Sequence, residues 1–210
     1  MKRIVTVSLM LVMSSGVMAA QGSLGKYSYV GAGLQYGEQK SHSLGSFLGD
    51  DYKNKGARDL FGVNATASFS PQALDGYAKI EYEGTTAGNT DISNTFLALG
   101  GYQNYQRSSL FYSLGVNNYQ VERDHQNGGS AKFDEYGVAA DIGFAYAVTP
   151  FLALTPRYRI SYLDEHVMND YKLTSQFMLG EMVSLELSGG YNTYRDAEQF
   201  NAQTALKFAF

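Results

Sequence analysis

The chain ends with Phe200-Asn-Ala-Gln-Thr-Ala-Leu-Lys-Phe-Ala-Phe210, and this stretch decides the fold. Apolar and polar side chains alternate along it, which places the two sets on opposite faces of a β-strand. Chain termini usually fray and carry polar residues, so an aromatic residue at the last position indicates that the end of this chain is packed. We therefore predict that residues 200–210 form a packed strand.

Alternation of the same kind recurs along the rest of the chain. The clearest example runs from Tyr136 to Val148, where large apolar residues alternate with small or polar ones. Ten such segments follow one another after residue 26. The fourth, about 92–102, and the eighth, from Tyr171, are the least regular, and without one hairpin the count falls to eight. Pro156 lies on the apolar face of the seventh segment and removes one backbone donor, a defect that the sequence does not explain.

Residues 1–20 have the three parts of a secretory signal peptide. Met1-Lys2-Arg3 is a basic start, an apolar run extends from Ile4 to Met13, and small residues lead to Ala19 and Ala20. The apolar run is too short to span a bilayer as a helix, which needs about 20 residues. We expect cleavage after Ala19 or Ala20, with residues 21–210 as the mature domain. Because the chain has no cysteine, a lipoprotein signal and disulfides are excluded.

The composition favours a membrane barrel over a soluble sandwich. The mean hydropathy is slightly negative, at -0.24, yet the chain has 17 Tyr, 12 Phe and 23 Gly with only 3 Pro. Tyrosine settles at membrane–water boundaries, and glycine relieves crowding inside a narrow barrel. A secreted β-sandwich is the alternative, and it requires a polar outward face. The net charge of -4 and the lack of a basic block give no support to nucleic-acid binding.

The C-terminal motif Gln203-x-Ala205-x-x-Phe208-x-Phe210 resembles the terminal signature of bacterial outer-membrane β-barrels, with Ala205 in place of the usual glycine. Over its whole mature length the chain is similar in pattern to the small outer-membrane barrels of the OmpA/OmpX kind. The resemblance implies a location in the outer membrane of a Gram-negative bacterium, in contact with lipid and lipopolysaccharide. It also implies that Gln203, Ala205, Phe208 and Phe210 form the signal read by the barrel-insertion machinery.

We therefore predict an all-β protein, a transmembrane antiparallel up-and-down β-barrel of ten strands, with eight as the alternative. The polar stretches between segments alternate long and short, which is typical of long outer loops and short periplasmic turns. The stretches 85–91 and 164–170 are two of the predicted outer loops. Both termini then lie on the periplasmic side, as an even strand count requires. The last strand is expected to pair with the ninth and to close the ring against the first.

Aromatic residues near the ends of the segments predict two girdles at the membrane boundaries. The outer girdle is predicted to contain Tyr36, Tyr82, Tyr119, Tyr136, Tyr162 and Tyr171. The inner girdle is predicted to contain Phe69, Tyr77, Tyr102, Tyr146, Phe151, Phe208 and Phe210.

If the apolar faces point to lipid, nine charged residues point into the lumen. They are Lys79, Glu81, Glu83, Asp141, Arg157, Arg159, Lys172, Glu186 and Lys207. Burying an unpaired charge costs several kcal/mol, so we expect pairs such as Asp141 with Arg157 or Arg159, and Glu186 with Lys207 or Lys172. The first interpretation is a network that plugs the barrel, and the alternative is a narrow polar channel.

The histidines give weak support to catalysis. The chain has three, His42, His125 and His166, each in a predicted outer loop. Asp124 beside His125 and Glu165 beside His166 suit a histidine base oriented by an acid, as in the omptin-type proteases. Adjacent loop residues usually point apart, however, and the His-x-Ser motif of lipid A acylases and deacylases does not occur. We predict no catalytic, cofactor or metal site and keep a protease or a lipid A-modifying enzyme as a further alternative.

The predicted function is that of an integral outer-membrane barrel without enzymatic activity. Its role is structural or a surface interaction of the adhesion kind, and its polar lumen is mostly plugged. An extracellular ligand, if there is one, is expected at the outer loops 37–56 and 123–131. We expect a monomer with no nucleic-acid partner. A narrow passive channel for small solutes is the alternative function.

Overall fold

The structure, a computed structural model, describes residues 26–39, 45–48, 59–71, 73–124 and 129–210. These residues form ten strands and one four-residue helix, which confirms the predicted all-β chain and its strand count. The strands close into one barrel in which each strand is hydrogen-bonded to its neighbours in sequence and β1 is hydrogen-bonded to β10. The predicted signal peptide, residues 1–20, lies outside the described residues.

All strand pairs of the barrel are antiparallel. The strands are β1 Tyr29–Gln39, β2 Leu60–Phe69, β3 Gly76–Ala87, β4 Thr90–Asn104, β5 Ser108–Asp124, β6 Ser130–Thr149, β7 Leu152–Leu163, β8 His166–Met178, β9 Val183–Tyr194 and β10 Ala197–Ala209. The helix α1, Gly45–Leu48, lies in the connection between β1 and β2. In the part of the chain that the structure describes, no helix is long and apolar enough to span a membrane.

The C-terminal strand closes the ring as predicted. β10 pairs with β1 along the whole of β1, from Tyr29 opposite Ala209 to Gln39 opposite Gln199, and it pairs with β9 on its other side. Phe208 and Phe210 point outward and are 49% and 62% exposed. Gln203 and Ala205 face inward on the same strand. The reading of these four residues by the insertion machinery stays a prediction.

The alternation along each strand separates an apolar outer face from a mostly polar inner face. The outward residues include Leu34, Leu99 and Leu114, which are 65%, 72% and 71% exposed. A continuous apolar exterior of this kind is the lipid-facing band of a membrane barrel, because a soluble protein rarely exposes so large an apolar surface. The outward faces therefore contradict the alternative of a secreted sandwich.

The prediction of long outer loops is wrong for three of the five outer connections. The strands continue through most of 85–91 and 164–170, and the chain reverses in two residues at 88–89, 164–165 and 195–196. Gly88, Asp164, Glu165 and Arg195 have φ of 62°, 35°, 68° and 53°, the left-handed backbone that two-residue hairpins use. Above the membrane both strand faces meet water, so both carry polar residues and the alternation that marks a strand fades.

Three predicted girdle residues lie inside the barrel. Tyr77 and Tyr119 are only 5% and 3% exposed, and the Tyr102 ring stacks on Tyr27 with 4.1 Å between the ring centroids. Each occupies an inward position of its strand; Tyr77, for example, is two residues from the inward Lys79. The other predicted girdle residues point outward. Proximity to a strand end is therefore not sufficient to assign an aromatic residue to a girdle. Side chains alternate along a strand, so the residue must also occupy one of the outward positions.

Candidate functional site

The lumen contains three layers of side chains along the barrel axis. An apolar layer lies at the outer end, and an ion-pair network occupies the middle. A stack of tyrosines and a polar cavity lie toward the periplasmic end. The layers follow from the order in which inward residues occur along each strand.

All nine charged residues predicted for the lumen are buried or half-buried on inner faces, and each takes part in an ion pair. Glu81 on β3 is the centre of the network. It accepts hydrogen bonds from Arg157 Nη1 at 2.7 and 2.9 Å. It also pairs with Arg159 Nη2 and with Lys79 Nζ, the latter at 3.2 Å. Since β3 and β7 lie on opposite sides of the ring, the pairs with Arg157 and Arg159 cross the lumen.

A second carboxylate, Asp141 on β6, completes this centre. Its side chain lies 2.9 Å from Lys79 Nζ and 3.5 Å from Arg159 Nη2. The Ser113 hydroxyl donates a further hydrogen bond to it at 2.9 Å. The buried cations and carboxylates thus satisfy one another, which is the condition under which such charges are tolerated away from water.

Two further ion pairs extend the network. Lys172 on β8 contacts Glu83 on β3 at 2.8 Å, again across the lumen. Lys207 contacts Glu186 on the adjacent strand at 3.1 Å. The Lys207 ammonium also lies 3.9 Å from the centroid of the Tyr29 ring. The ion pairs therefore join side chains from six of the ten strands, β3 and β6 to β10.

Two residues of the network were missed by the sequence analysis. Asp170 is 6% exposed and lies 3.2 Å from Arg157 Nη2. The polar stretch 164–170 predicts an outer loop here, whereas in the structure Asp170 lies within β8, opposite Arg159. Phe96 is 1% exposed, and its ring centroid lies 3.7 Å from the Arg159 guanidinium carbon. Its segment is apolar on both faces, so no alternation marked it as inward.

The outer layer consists of apolar residues from the ends of several strands together with the helix α1. Leu60, Val121 and Leu163 are fully buried. Phe47 of α1 is 8% exposed and packs within 6 Å of three rings, with centroid distances of 5.6 Å to Tyr119, 5.1 Å to Phe133 and 5.8 Å to Tyr194. We call this layer, which also contains Ile92, Met168 and Ala197, the outer plug.

A polar clamp lies beside the outer plug. Glu135 on β6 accepts a hydrogen bond from Arg195 Nη2 at 2.6 Å and another from the Tyr194 hydroxyl. The Arg195 guanidinium carbon lies 4.8 Å from the centroid of the Phe133 ring. Because β6 and β9 are not neighbours, these contacts hold two parts of the outer rim together across the mouth.

At the periplasmic end Tyr27, two residues before the start of β1, lies inside the lumen. The Tyr27 ring stacks on both Tyr77 and Tyr102, and its hydroxyl lies 2.6 Å from Ser109 Oγ. Burial raises the pKa of the Tyr27 hydroxyl to about 12. A cavity of about 150 Å³ lies beside this stack and reaches the ion-pair network. Its lining includes Arg157, Lys172, Lys207, Glu83, Glu186 and Thr174.

The residues considered for catalysis are not brought together in the described structure. His42 and His125 lie outside the described residues. His166 Nδ1 lies 3.0 Å from the carbonyl oxygen of Asp164. Among the described residues, no group of three or more His, Cys, Asp or Glu side chains is arranged to hold a metal ion. Much of the predicted ligand loops, residues 40–44, 49–56 and 125–128, also falls outside the description.

Comparison with known proteins supports the fold. No protein-family model matches the chain, and no curated protein matches its sequence. The outer membrane protease OmpT from Escherichia coli aligns at 9% identity over 88% of this chain and 97% of OmpT, with a TM-score of 0.51. The β domain of the Bordetella autotransporter BrkA aligns at 10% identity over 88% of this chain and 100% of that domain, with a TM-score of 0.50.

A third solved structure, Ail, the attachment invasion locus protein of Yersinia pestis, aligns at 12% identity over 87% of this chain and 97% of Ail, with a TM-score of 0.46. At identities this low the likeness concerns the fold alone. The closed ring and the apolar exterior show that the chain is an outer-membrane β-barrel. This confirms the predicted location in the outer membrane of a Gram-negative bacterium.

The network predicts unequal effects of removing its carboxylates. Glu81→Gln leaves Arg157, Arg159 and Lys79 without their shared partner, so we expect the free energy of unfolding to fall by about 3 kcal/mol or more. Glu186→Gln is the matched control, because Glu186 has a single, more exposed partner in Lys207; its loss is expected to be about 1 kcal/mol. Urea titration of protein folded in lipid vesicles measures both. Equal losses from the two variants would contradict the central role of Glu81.

Proposed function

We propose that this protein is a non-conducting outer-membrane barrel that acts through its outer surface, in a structural or adhesion-like role, without enzymatic activity. The observation that carries the proposal is the outer plug. Leu60, Val121 and Leu163 are fully buried there, so a layer of apolar side chains lies across the outer end of the lumen. An ion that crosses a dry apolar constriction loses its hydration, and such constrictions close channels.

The middle layer of the lumen supports the same conclusion. Side chains from opposite walls meet in it, as Glu81 meets Arg157 and Glu83 meets Lys172. A solute on the barrel axis would have to separate these pairs. The alternative of a narrow passive channel therefore requires both layers to rearrange.

The outer part of the hairpin formed by β5 and β6 supports a role at the surface. Tyr136 is the outward aromatic residue of β6 that lies nearest the outer end of the barrel. The two strands stay paired further out than this residue, up to Asp124 opposite Ser130. Past that residue the outward positions are polar. Lys132, for example, is 50% exposed and lies 3.4 Å from Asp134. A paired hairpin presents such groups in fixed positions, which suits contact with an extracellular ligand together with the loops 37–56 and 123–131.

The remaining partners belong to the same proposal. The apolar exterior is surrounded by outer-membrane lipid and, on the outer leaflet, by lipopolysaccharide. A closed ring leaves no strand edge within the membrane for pairing with another barrel, which favours a monomer. We expect no cofactor and no nucleic-acid partner.

Planar-bilayer recordings test the closed lumen. Purified protein inserted in the bilayer is expected to give no current steps above baseline, because the apolar side chains of the outer plug would strip water from an ion. A large porin inserted under the same conditions provides the positive control. Regular steps from this protein, in the absence of denaturant, would contradict the closed lumen.

A set of exposed substitutions tests the surface role. Together, Glu122→Ser, Lys132→Ser and Asp134→Ser remove three outward-facing charges of the outer hairpin and leave its inward residues unchanged. Retention of expressing cells on a protein-coated surface is expected to fall to that of cells without the protein. The control variant, Asp75→Ser with Glu181→Ser, alters periplasmic turns and should keep full retention. Unchanged retention of the hairpin variant would exclude this surface as the site of adhesion.

A further inference from the structure

The seam between β6 and β7 is interrupted at one level of the barrel wall. Gly143 pairs with Arg157, and the next regular pair is Tyr146 with Leu154. A shift of register follows between Ala147 and Thr149. The registers of the other nine described seams run without a break.

Pro156 accounts for the interruption. The backbone N–H of Ala147 donates to Arg107 O beside β5, so odd-numbered residues of β6 direct their backbone groups toward β5 and even-numbered ones toward β7. The carbonyl of Phe144 therefore faces β7 at the level of Pro156, which has no N–H to donate. The proline that the sequence left unexplained thus removes a hydrogen bond from this seam.

The position of the defect makes it unusual. Phe144 and Tyr146 are 40% and 43% exposed on the lipid-facing side. Inside a bilayer an unpaired carbonyl finds no water, and proline is normally confined to strand edges for this reason. Pro156 lies four residues after the start of β7, on the periplasmic side of the ion-pair network. Among the described seams, this one lacks a backbone hydrogen bond, and the gap lies toward the periplasmic end of the wall.

The cavity of the lumen lies directly behind this seam. Ala145 and Thr155, the inward residues at the interruption, both line it. So does Arg157, whose side chain is 9% exposed and whose Nε has no hydrogen-bond partner among the described residues. The lining contains Lys26, Lys79, Arg157, Lys172 and Lys207 together with Glu81, Glu83 and Glu186. Asp141 and Asp170 pair with Lys79 and Arg157 from beside the lining. With Arg159 included, the cations of this region therefore exceed the carboxylates by one.

We propose that the β6–β7 seam opens laterally at Pro156 and admits the headgroup of an inner-leaflet phospholipid to the luminal cavity. The phosphodiester carries one negative charge and lies beside Arg157, where the excess of cations and the unpaired Nε favour it. The acyl chains stay outside, between Phe144 and Pro156. This goes beyond the proposed surface role and is compatible with a non-conducting lumen, because the outer plug stays closed.

Because the chain has no cysteine, a maleimide reagent labels only the cysteine that is introduced, and the rate of labelling measures how accessible that position is. Thr155→Cys is reacted, in vesicles, with a phospholipid that carries a maleimide on its headgroup. The matched control is Ser161→Cys, which is on the inner face of the same strand but opposite Ala139 in an intact part of the seam. We expect the lipid reagent to label Thr155→Cys and not Ser161→Cys.

Replacing Pro156 restores the missing backbone N–H and tests whether its absence allows the seam to open. Pro156→Val in the Thr155→Cys background is expected to slow labelling by the lipid reagent roughly tenfold, the effect of one added backbone hydrogen bond. Pro156→Ala serves as a second variant, and heat-modifiable migration verifies that each is folded. The proposal is overturned if Thr155→Cys reacts no faster than Ser161→Cys, or if neither proline replacement slows it.

Two further arms separate the sources of the ligand. Labelling of Thr155→Cys by a soluble maleimide alone, with none by the lipid reagent, would show access only from the periplasmic mouth and would overturn the lateral opening. Inorganic phosphate is then added to detergent-solubilised Thr155→Cys. If it slows the soluble reagent as much as phospholipid vesicles do, free phosphate and not a headgroup occupies the cavity. Slowing by phospholipid alone supports the proposal.

Discussion

Backbone N–H and C=O groups inside a bilayer find no water, so every strand needs a hydrogen-bonded neighbour on both sides. The pairing of β10 with β1 meets this requirement for the two strands that would otherwise be edges. It also fixes which face of every strand points to lipid, because the side chains of a strand alternate. Pro156 is the place where the described wall departs from the requirement, and it does so beside the luminal cavity.

Closure of the ring brings charges from distant parts of the chain together. Glu81 and Arg157 are 76 residues apart in sequence, yet they meet across the lumen. Neither charge would be tolerated there alone, since the cost of desolvation is recovered only by pairing. The outer plug then separates this polar interior from the cell surface. Pairing and packing inside the lumen therefore contribute to the stability of the barrel.

Alternation was sufficient to predict the strands and the inward direction of residues such as Lys79, while the resemblance of the C-terminal motif to outer-membrane barrels implied that β10 closes the ring. It failed where the two faces of a strand are alike. Phe96 lies in a segment that is apolar on both faces, and Asp170 lies where both faces are polar, so neither was marked as inward. The outer plug was missed because Phe47 reaches it from a connection that has no periodicity. Contacts of this kind depend on register and tertiary packing, which a single sequence does not display.

The closed ring is tested most directly by a disulfide between its first and last strands. Gln203 Nε2 donates to Gln35 Oε1 at 2.9 Å, and the two residues face each other in a pair that is not backbone hydrogen-bonded, where side chains are close. Gln35→Cys with Gln203→Cys is expected to cross-link rapidly on oxidation in the membrane. Gln35→Cys with Ala205→Cys, shifted by two residues, should cross-link slowly. No cross-link in the first pair, or equal rates in both, would contradict the closure.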